Sequence, residues 1–204
     1  MVCKDKIGMK KNLKSTALCD AENKIKGMLD EKRFIHSIAV AQTAVIIAEK
    51  YGLDKKKAEL AGLLHDCARD LSGLKQQYFI KKYKIRFDSV SKKIPGLRHS
   101  FLGAYVAMEE FNVKDREVLE AIKYHTAGNA SMGPIAKAVY IADYTEINRK
   151  YRSSEKIRAK IKTNISLDEM AGLVLKDKLG YLVEEGKLIH KDSVDMWNQY
   201  NHNI

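Results

Sequence analysis

The sequence predicts an all-α fold, and three observations carry that expectation. Apolar residues recur at helical spacing, with none of the sustained apolar/polar alternation that half-buried strands need. Neither Asn-Gly nor Asp-Gly, the strongest hairpin signals, occurs. Only two prolines interrupt 204 residues.

Taken in order, residues 1–20 are Lys-rich with little periodicity and read as a flexible basic tail ahead of a single helical domain over 21–204. The first strong helix should span Asp30 to Tyr51, with Ile35, Ile38, Val45 and Ala48 along its apolar stripe and Gly52 as its stop. Asp54 is placed to cap "KKKAELAGLLHDCA". A third helix covers "GLKQQYFIKKY", and an irregular stretch runs on through Pro95. "LRHSFLGAYVAMEEF" follows as a helix on Leu97, Phe101, Tyr105 and Met108, and then "DREVLEAIKYH", which ends before Gly128. Pro134, suited to a first turn, opens "IAKAVYIADYTEINR". Ser166 and Glu169 form a capping box for "LDEMAGLVLKDKLGYLVEE", which stops at Gly186.

Composition narrows the function classes. At 45% hydrophobic and 31% charged, the chain can bury a core. Its net charge of +11 favours polyanionic partners or, equally, a Lys-rich solvated surface. Cys3, Cys19 and Cys67 follow no ligand spacing and make no disulfide framework. No run approaches the roughly 18 apolar residues of a membrane span. "MVCKDKIGMKKNLK" is charged, with no apolar stretch behind it to make a secretory signal. A cytoplasmic protein is expected, with no membrane partner.

The histidines carry the chemistry. A single His-Asp pair such as His65-Asp66 arises by chance about 0.4 times at this His and Asp content. Yet His36, His65, His99 and His125 all fall in helical segments, on or beside an apolar stripe. Any one alone reads as a satisfied core histidine or a favourable charge at a helix C-terminus. Asp143, within the nearly uncharged "AKAVYIADY", resists that reading, because a carboxylate buried without partners costs several kcal/mol. Asp66 poses the same problem at the end of "AELAGLLHD". One metal site built from imidazoles and carboxylates answers both, with donors that suit iron, zinc, manganese or cobalt.

The order His, His-Asp, His, His, Asp across five helices resembles the HD superfamily of metal-dependent phosphohydrolases. "RFIHSIAVAQTA", "AGLLHDCARDL", "LRHSFLGAYVA", "AIKYHTAGNASM" and "KAVYIADYTEINR" are similar to successive motifs of its YqeK family over roughly residues 28–200. The resemblance implies an all-α HD-domain bundle that hydrolyses diadenosine tetraphosphate symmetrically, with one or two iron ions in the site. It implies that His36, His65, Asp66 and Asp143 hold the principal metal. His99 and His125 then hold a second metal or grip the substrate phosphate. Arg33, Arg69 and Arg149 become phosphate clamps. Cys67, Ala68 and Tyr144 lie within the matched motifs and are carried over as substrate contacts, although Cys67 also suits a small buried role. Leu188, Ile189 and His190, in "KLIHKD", resemble the segment lying against the nucleotide, whereas His202 reads as tail.

Two departures stand out. Arg69 replaces the lysine usual after "HDxA", turning a point charge into a planar fork. "EINRKYRSSE" replaces "EPNR" and a following Pro-Gly turn, which loosens the loop bearing Arg149.

The implied chemistry is attack on a bridging phosphorus by a metal-activated water, with cations neutralising developing charge. Asp66 or Asp70 would relay protons; the spacing puts Asp70 at i+4 from Asp66, and a plain helix-surface charge is an equal reading for it. The run "NRKYRSSEKIRAKIK" is an electrostatic funnel, an RNA contact or, more economically, a solvated amphipathic helix. No RNA-binding motif accompanies it, so nucleic acid is not an expected partner. A small nucleotide polyphosphate is, and the size of the domain admits a homodimer. The rivals are another HD-type nucleotide phosphohydrolase, such as a nucleotidase or alarmone hydrolase, and a non-catalytic nucleotide or RNA binder. The absence of a "GYP" motif weighs against a cyclic dinucleotide phosphodiesterase.

Overall fold

The computed structural model describes residues 16–201, and among these every regular element is a helix. In chain order they are α1 (Thr16–Lys26), α2 (Glu31–Lys50), α3 (Lys55–Leu64), α4 (Gly73–Lys82), α5 (Ser89–Lys93), a 3-10 turn (Pro95–Leu97), α6 (Arg98–Glu110), α7 (Arg116–Tyr124), α8 (Pro134–Thr145), α9 (Arg152–Lys160), α10 (Leu167–Glu184) and α11 (Lys191–Tyr200). The all-α expectation holds. Most of the stretch expected as a tail lies outside the described residues, as does His202, but residues 16–20 belong to α1.

Local chemistry sets the boundaries. Asp30 caps α2 by accepting from Arg33 N, and Asp54 caps α3 by accepting from Lys56 and Lys57 N. Pro134 occupies the first turn of α8, and Ser166 with Glu169 closes the capping box of α10. The irregular stretch before Pro95 contains the five-residue α5, started by Asp88 accepting from Val90 and Ser91 N.

α8 is the central element, with Ile135, Ala136, Ala138, Val139, Tyr140, Ile141 and Ala142 all buried. α2, α7 and α10 pack around it, α3 bridges α2 and α7, α6 covers α7, and α11 covers α10. Two of the expected stripes are rotated. On α2 the buried face is Val40, Ala41, Ala44, Ile47 and Ala48, while Ile35 is 51% exposed. On α6 it is Leu102, Val106 and Ala107 rather than Leu97, Phe101, Tyr105 and Met108. Small residues are buried in preference to larger ones because neighbouring helices approach closely. A Cβ on Gly62 of α3 would lie 2.8 Å from Ala41 Cα of α2, so only glycine permits this crossing. The crossing matters because it brings the end of α3 beside His36.

Candidate metal centre

Three imidazoles are fixed by one local device. His65 follows the last residue of α3, His99 stands in the first turn of α6, and His125 follows the last residue of α7. In each, Nδ1 faces the carbonyl three residues earlier: Gly62 O at 2.7 Å, Gly96 O at 2.6 Å and Ile122 O at 2.7 Å. A carbonyl only accepts, so Nδ1 of His65 and of His125 carries the proton and Nε2 presents a lone pair, the orientation a metal-ligating histidine requires; at His99 the Arg69 guanidinium, 2.8 Å from Nδ1, competes with the Gly96 carbonyl for that nitrogen. His36, within α2, is oriented by a carboxylate instead: its Nδ1 lies 3.3 Å from Oε1 of buried Glu146.

The free nitrogens converge on Asp66. His99 Nε2 and His125 Nε2 are 3.0 Å apart, and lie 3.0 Å and 3.6 Å from Asp66 Oδ1. His65 Nε2 is buried without a hydrogen-bond partner, 3.7 Å from Asp66 Oδ2 and 3.9 Å from Asp143 Oδ1. His36 Nε2 lies 3.1 Å from the same Asp143 oxygen. Two donor groups result, His36–His65–Asp66 and Asp66–His99–His125, each with its donor atoms within 4.8 Å of one another. Asp66 belongs to both and turns one oxygen toward each.

These residues fit a metal. Two lone pairs facing at 3.0 Å repel, and the donors near them are the Thr126 hydroxyl, 2.9 Å from His125 Nε2 and 3.2 Å from His99 Nε2, and Arg69 Nη1, 3.2 Å from His99 Nε2. A buried Nε2 with no donor, as in His65, carries a desolvation cost that a cation would remove. The charge states of the two carboxylates and of His65 suit a cation, and that of His36 does not. Burial opposes ionisation of Asp66, but the imidazoles of His65, His125 and His99 hold its carboxyl far below the usual range. Burial likewise opposes a charged Asp143, which His36, His65 and nearby cations keep ionised. His65 is pushed down to about 4 by burial and stays neutral. Burial lowers His36, but Asp143 and Glu146 outweigh it and raise it to about 9, so its ring holds a proton that a metal ion would have to displace.

A cleft of about 1650 Å³ opens above the centre. Of the residues expected from sequence, Arg33, His36, Asp66, Arg69, His99, His125, Asp143, Arg149, Leu188 and His190 line it, and His65 lies beneath. Arg149 reaches Asp143 Oδ1 at 3.0 Å although α8 ends at Thr145, and Arg33 is held by Asp30 and Asp70. His190 Nε2 meets Asp88 Oδ2 at 2.8 Å, tying the start of α11 to the start of α5.

Other expectations are corrected. α3 stops at Leu64 and residues 65–70 are turns, so Asp70 does not share a helix face with Asp66; its carboxylate lies 2.9 Å from Arg33 Nε instead. Cys67 and Ala68 are buried in the core, with Cys67 Sγ donating to Gly103 O, and neither lines the cleft. Burial pushes the Cys67 thiol up, so it stays protonated. Tyr144 turns its hydroxyl to Asp177 and Ser153, outside the cleft lining, as is Ile189.

Three residues went unread in the sequence. Glu146 had a signal, a second carboxylate three residues after Asp143. Thr126 had only its adjacency to His125. Lys178 had one too, a lysine at helical spacing from Val174 and Leu175 on the apolar side of α10.

The family model of the HD domain matches residues 33–148. The chain is 33% identical to a symmetrical bis(5'-nucleosyl)-tetraphosphatase of Halalkalibacterium halodurans, over 86% of this chain and 92% of that one. It is 36% identical to the protein of the same name from Staphylococcus aureus, over 89% and 93%. A Clostridium acetobutylicum structure, described as a predicted HD superfamily hydrolase involved in NAD metabolism, superposes with a TM-score of 0.84 at 27% identity, covering 91% of this chain and 97% of that one. His36, His65, Asp66, His99, His125 and Asp143 all lie within the matched residues 33–148. The chain belongs to the HD domain family and, within it, to the family of the symmetrical bis(5'-nucleosyl)-tetraphosphatases.

Proposed function

We propose that this protein hydrolyses diadenosine tetraphosphate, adding water across the central P–O–P bridge so that two ADP leave. The observation that carries the reading is the pair of donor groups sharing Asp66 on the floor of one large cleft. Its volume, about 1650 Å³, exceeds the roughly 300–1,000 Å³ usual for a single small ligand and suits two nucleoside arms.

Divalent ions held by these donors would activate water near neutral pH and screen charge building on the phosphoryl oxygens. His36, His65, Asp66 and Asp143 would hold the principal ion, and His99 and His125, with Asp66, would hold a second or grip the substrate phosphate. Mixed imidazole and carboxylate donors support iron as the resident metal and admit manganese, cobalt or zinc. The chain supplies the rest. Arg149 and Arg69 stand beside the donors with guanidinium groups for non-bridging oxygens. Asp70 and Asp30 keep Arg33 extended at the cleft edge. Exposed Tyr151, Tyr181 and Leu188 give the mouth apolar faces for bases, and Lys32, Lys150 and Lys187 make it cationic. A nucleotide substrate and three cysteines without a disulfide framework support a cytoplasmic setting.

Product analysis tests the reading. Metal-replete protein supplied with diadenosine tetraphosphate should give ADP as the sole nucleotide on chromatography. ATP plus AMP would mean attack on an outer phosphorus and would overturn the symmetrical assignment.

A further inference from the structure

Lys178 is the sheltered cation that the reaction scheme above leaves unused. It projects from α10 into the cleft wall, its ammonium 4.0 Å from the centroid of the Tyr140 ring. Its hydrogen bonds are long and run to the main-chain carbonyls of His125 (3.5 Å) and Thr126 (3.3 Å). The guanidinium groups of the cleft that have carboxylate partners contrast with it: Arg33 has Asp30 and Asp70, and Arg149 has Asp143. Among the described residues no Asp or Glu oxygen lies within ion-pair distance of Lys178. The remaining cleft cations, Lys32, Arg69, Lys150 and Lys187, are exposed to solvent.

An ammonium withdrawn from water with no carboxylate in ion-pair contact is costly, and Asp143, which it helps keep ionised, acts on it only from beyond that distance. The Tyr140 face and two carbonyl dipoles repay part of that cost. They also hold the amine in place from behind, directly against the His125–Thr126 segment whose side chains face the second donor group. An anion seated on the metal centre would complete the set.

We propose that Lys178 is a phosphate-binding residue of the cleft, donating to a non-bridging oxygen of a polyphosphate chain that lies against the Asp66–His99–His125 side of the centre. The proposal rests on the polyphosphate reading of the site and adds to it a charge from α10, where Arg33 supplies one from α2. Lys178 thereby fixes the register of the chain of phosphates over the metal ions.

The test separates phosphate binding from packing and from the identity of the substrate. Zinc-loaded wild type and Lys178→Met are titrated with inorganic pyrophosphate by calorimetry, and both are melted. Methionine keeps an apolar stem against Tyr140 and removes the charge. Loss of one charged hydrogen bond should weaken pyrophosphate binding about 10- to 100-fold, with Tm and bound zinc unchanged. Equal affinity would overturn the proposal, and a lowered Tm with equal affinity would assign Lys178 to packing alone. Should the variant not fold, the lysine side-chain NMR signals of zinc-loaded wild type decide, with Lys178→Arg identifying the resonance. A Lys178 signal that shifts as pyrophosphate saturates supports the contact; one that stays overturns it. Wild type that binds pyrophosphate through Lys178 but leaves diadenosine tetraphosphate intact would sink the substrate reading and keep this one. Wild type that yields ADP while Lys178→Met binds and turns over equally would do the reverse.

Discussion

Glu146 places its Oε1 3.3 Å from His36 Nδ1, so a buried carboxylate stands behind the one imidazole of the centre that no main-chain carbonyl orients. His65, His99 and His125 each lean on the carbonyl three residues earlier; His36, inside a continuous helix, has that carbonyl committed to the helix ladder. Removing the carboxylate should loosen the ring. Glu146→Ala is expected to weaken metal binding about 10- to 100-fold, the range for such supporting partners. Glu146→Gln, which keeps an acceptor oxygen, should lose less. A metal titration followed by bound-metal analysis checks both.

Stripping the metal should cost stability as well as activity. Ligands whose lone pairs face each other are stabilised only by what lies between them, and binding to the folded state alone adds about 2.7 kcal/mol at a metal concentration 100 times Kd. For a chain of this size that corresponds to roughly 5–10 °C in Tm. Thermal melts with and without chelator should show that shift, reversed on adding metal back. An unchanged Tm would mean that the donors are not occupied.

The α2–α3 crossing is a second point of leverage. Gly62→Ala puts a Cβ 2.8 Å from Ala41 Cα, against backbone that cannot turn aside. Overpacking of this kind costs about 1–3 kcal/mol. Because the same crossing carries His65 to His36, metal affinity should fall together with Tm. Calorimetric melting and metal titration of the variant would show the two losses together.

Acid sensitivity should trace in part to Asp88. Burial opposes its ionisation, but the hydroxyl and amide of Ser91, the His190 ring and Val90 N–H hold its carboxyl below the usual range. A carboxyl depressed on folding contributes stability that is present above its unfolded pKa, near 3.9, and is lost as pH falls through the folded value. Asp88→Asn keeps an oxygen for the α5 cap and removes the charge. Its stability should therefore fall less steeply than that of the wild type below about pH 4. Denaturant unfolding at a series of pH values measures the slope; identical slopes would remove Asp88 from the account.

The start and stop signals were legible because they are local. Asp54, Pro134 and the Ser166–Glu169 box act within one turn, and the structure has them where the sequence places them. Which face of a helix is buried was less so. Ile35 and Met108 have the hydrophobicity of core residues, yet close helix crossings select Ala41 and Gly62 instead. The metal donors were legible as buried polar residues that needed one another. Asp70 was misread because the spacing argument assumed a helix through residue 70, whereas α3 ends at Leu64 to set His65 and Asp66 on a turn. Glu146 and Lys178 escaped because each works through a contact more than 50 residues away, His36 for one and the His125–Thr126 carbonyls for the other.

The most direct test of the central claim is turnover of diadenosine tetraphosphate by metal-replete wild type and Asp66→Ala, with nucleotide products and bound metal measured on the same samples. Asp66 is the residue both donor groups share, so the account predicts ADP alone from the wild type, and from a folded variant no turnover with metal lost from both groups. A folded Asp66→Ala that still releases ADP with its metal intact would contradict it.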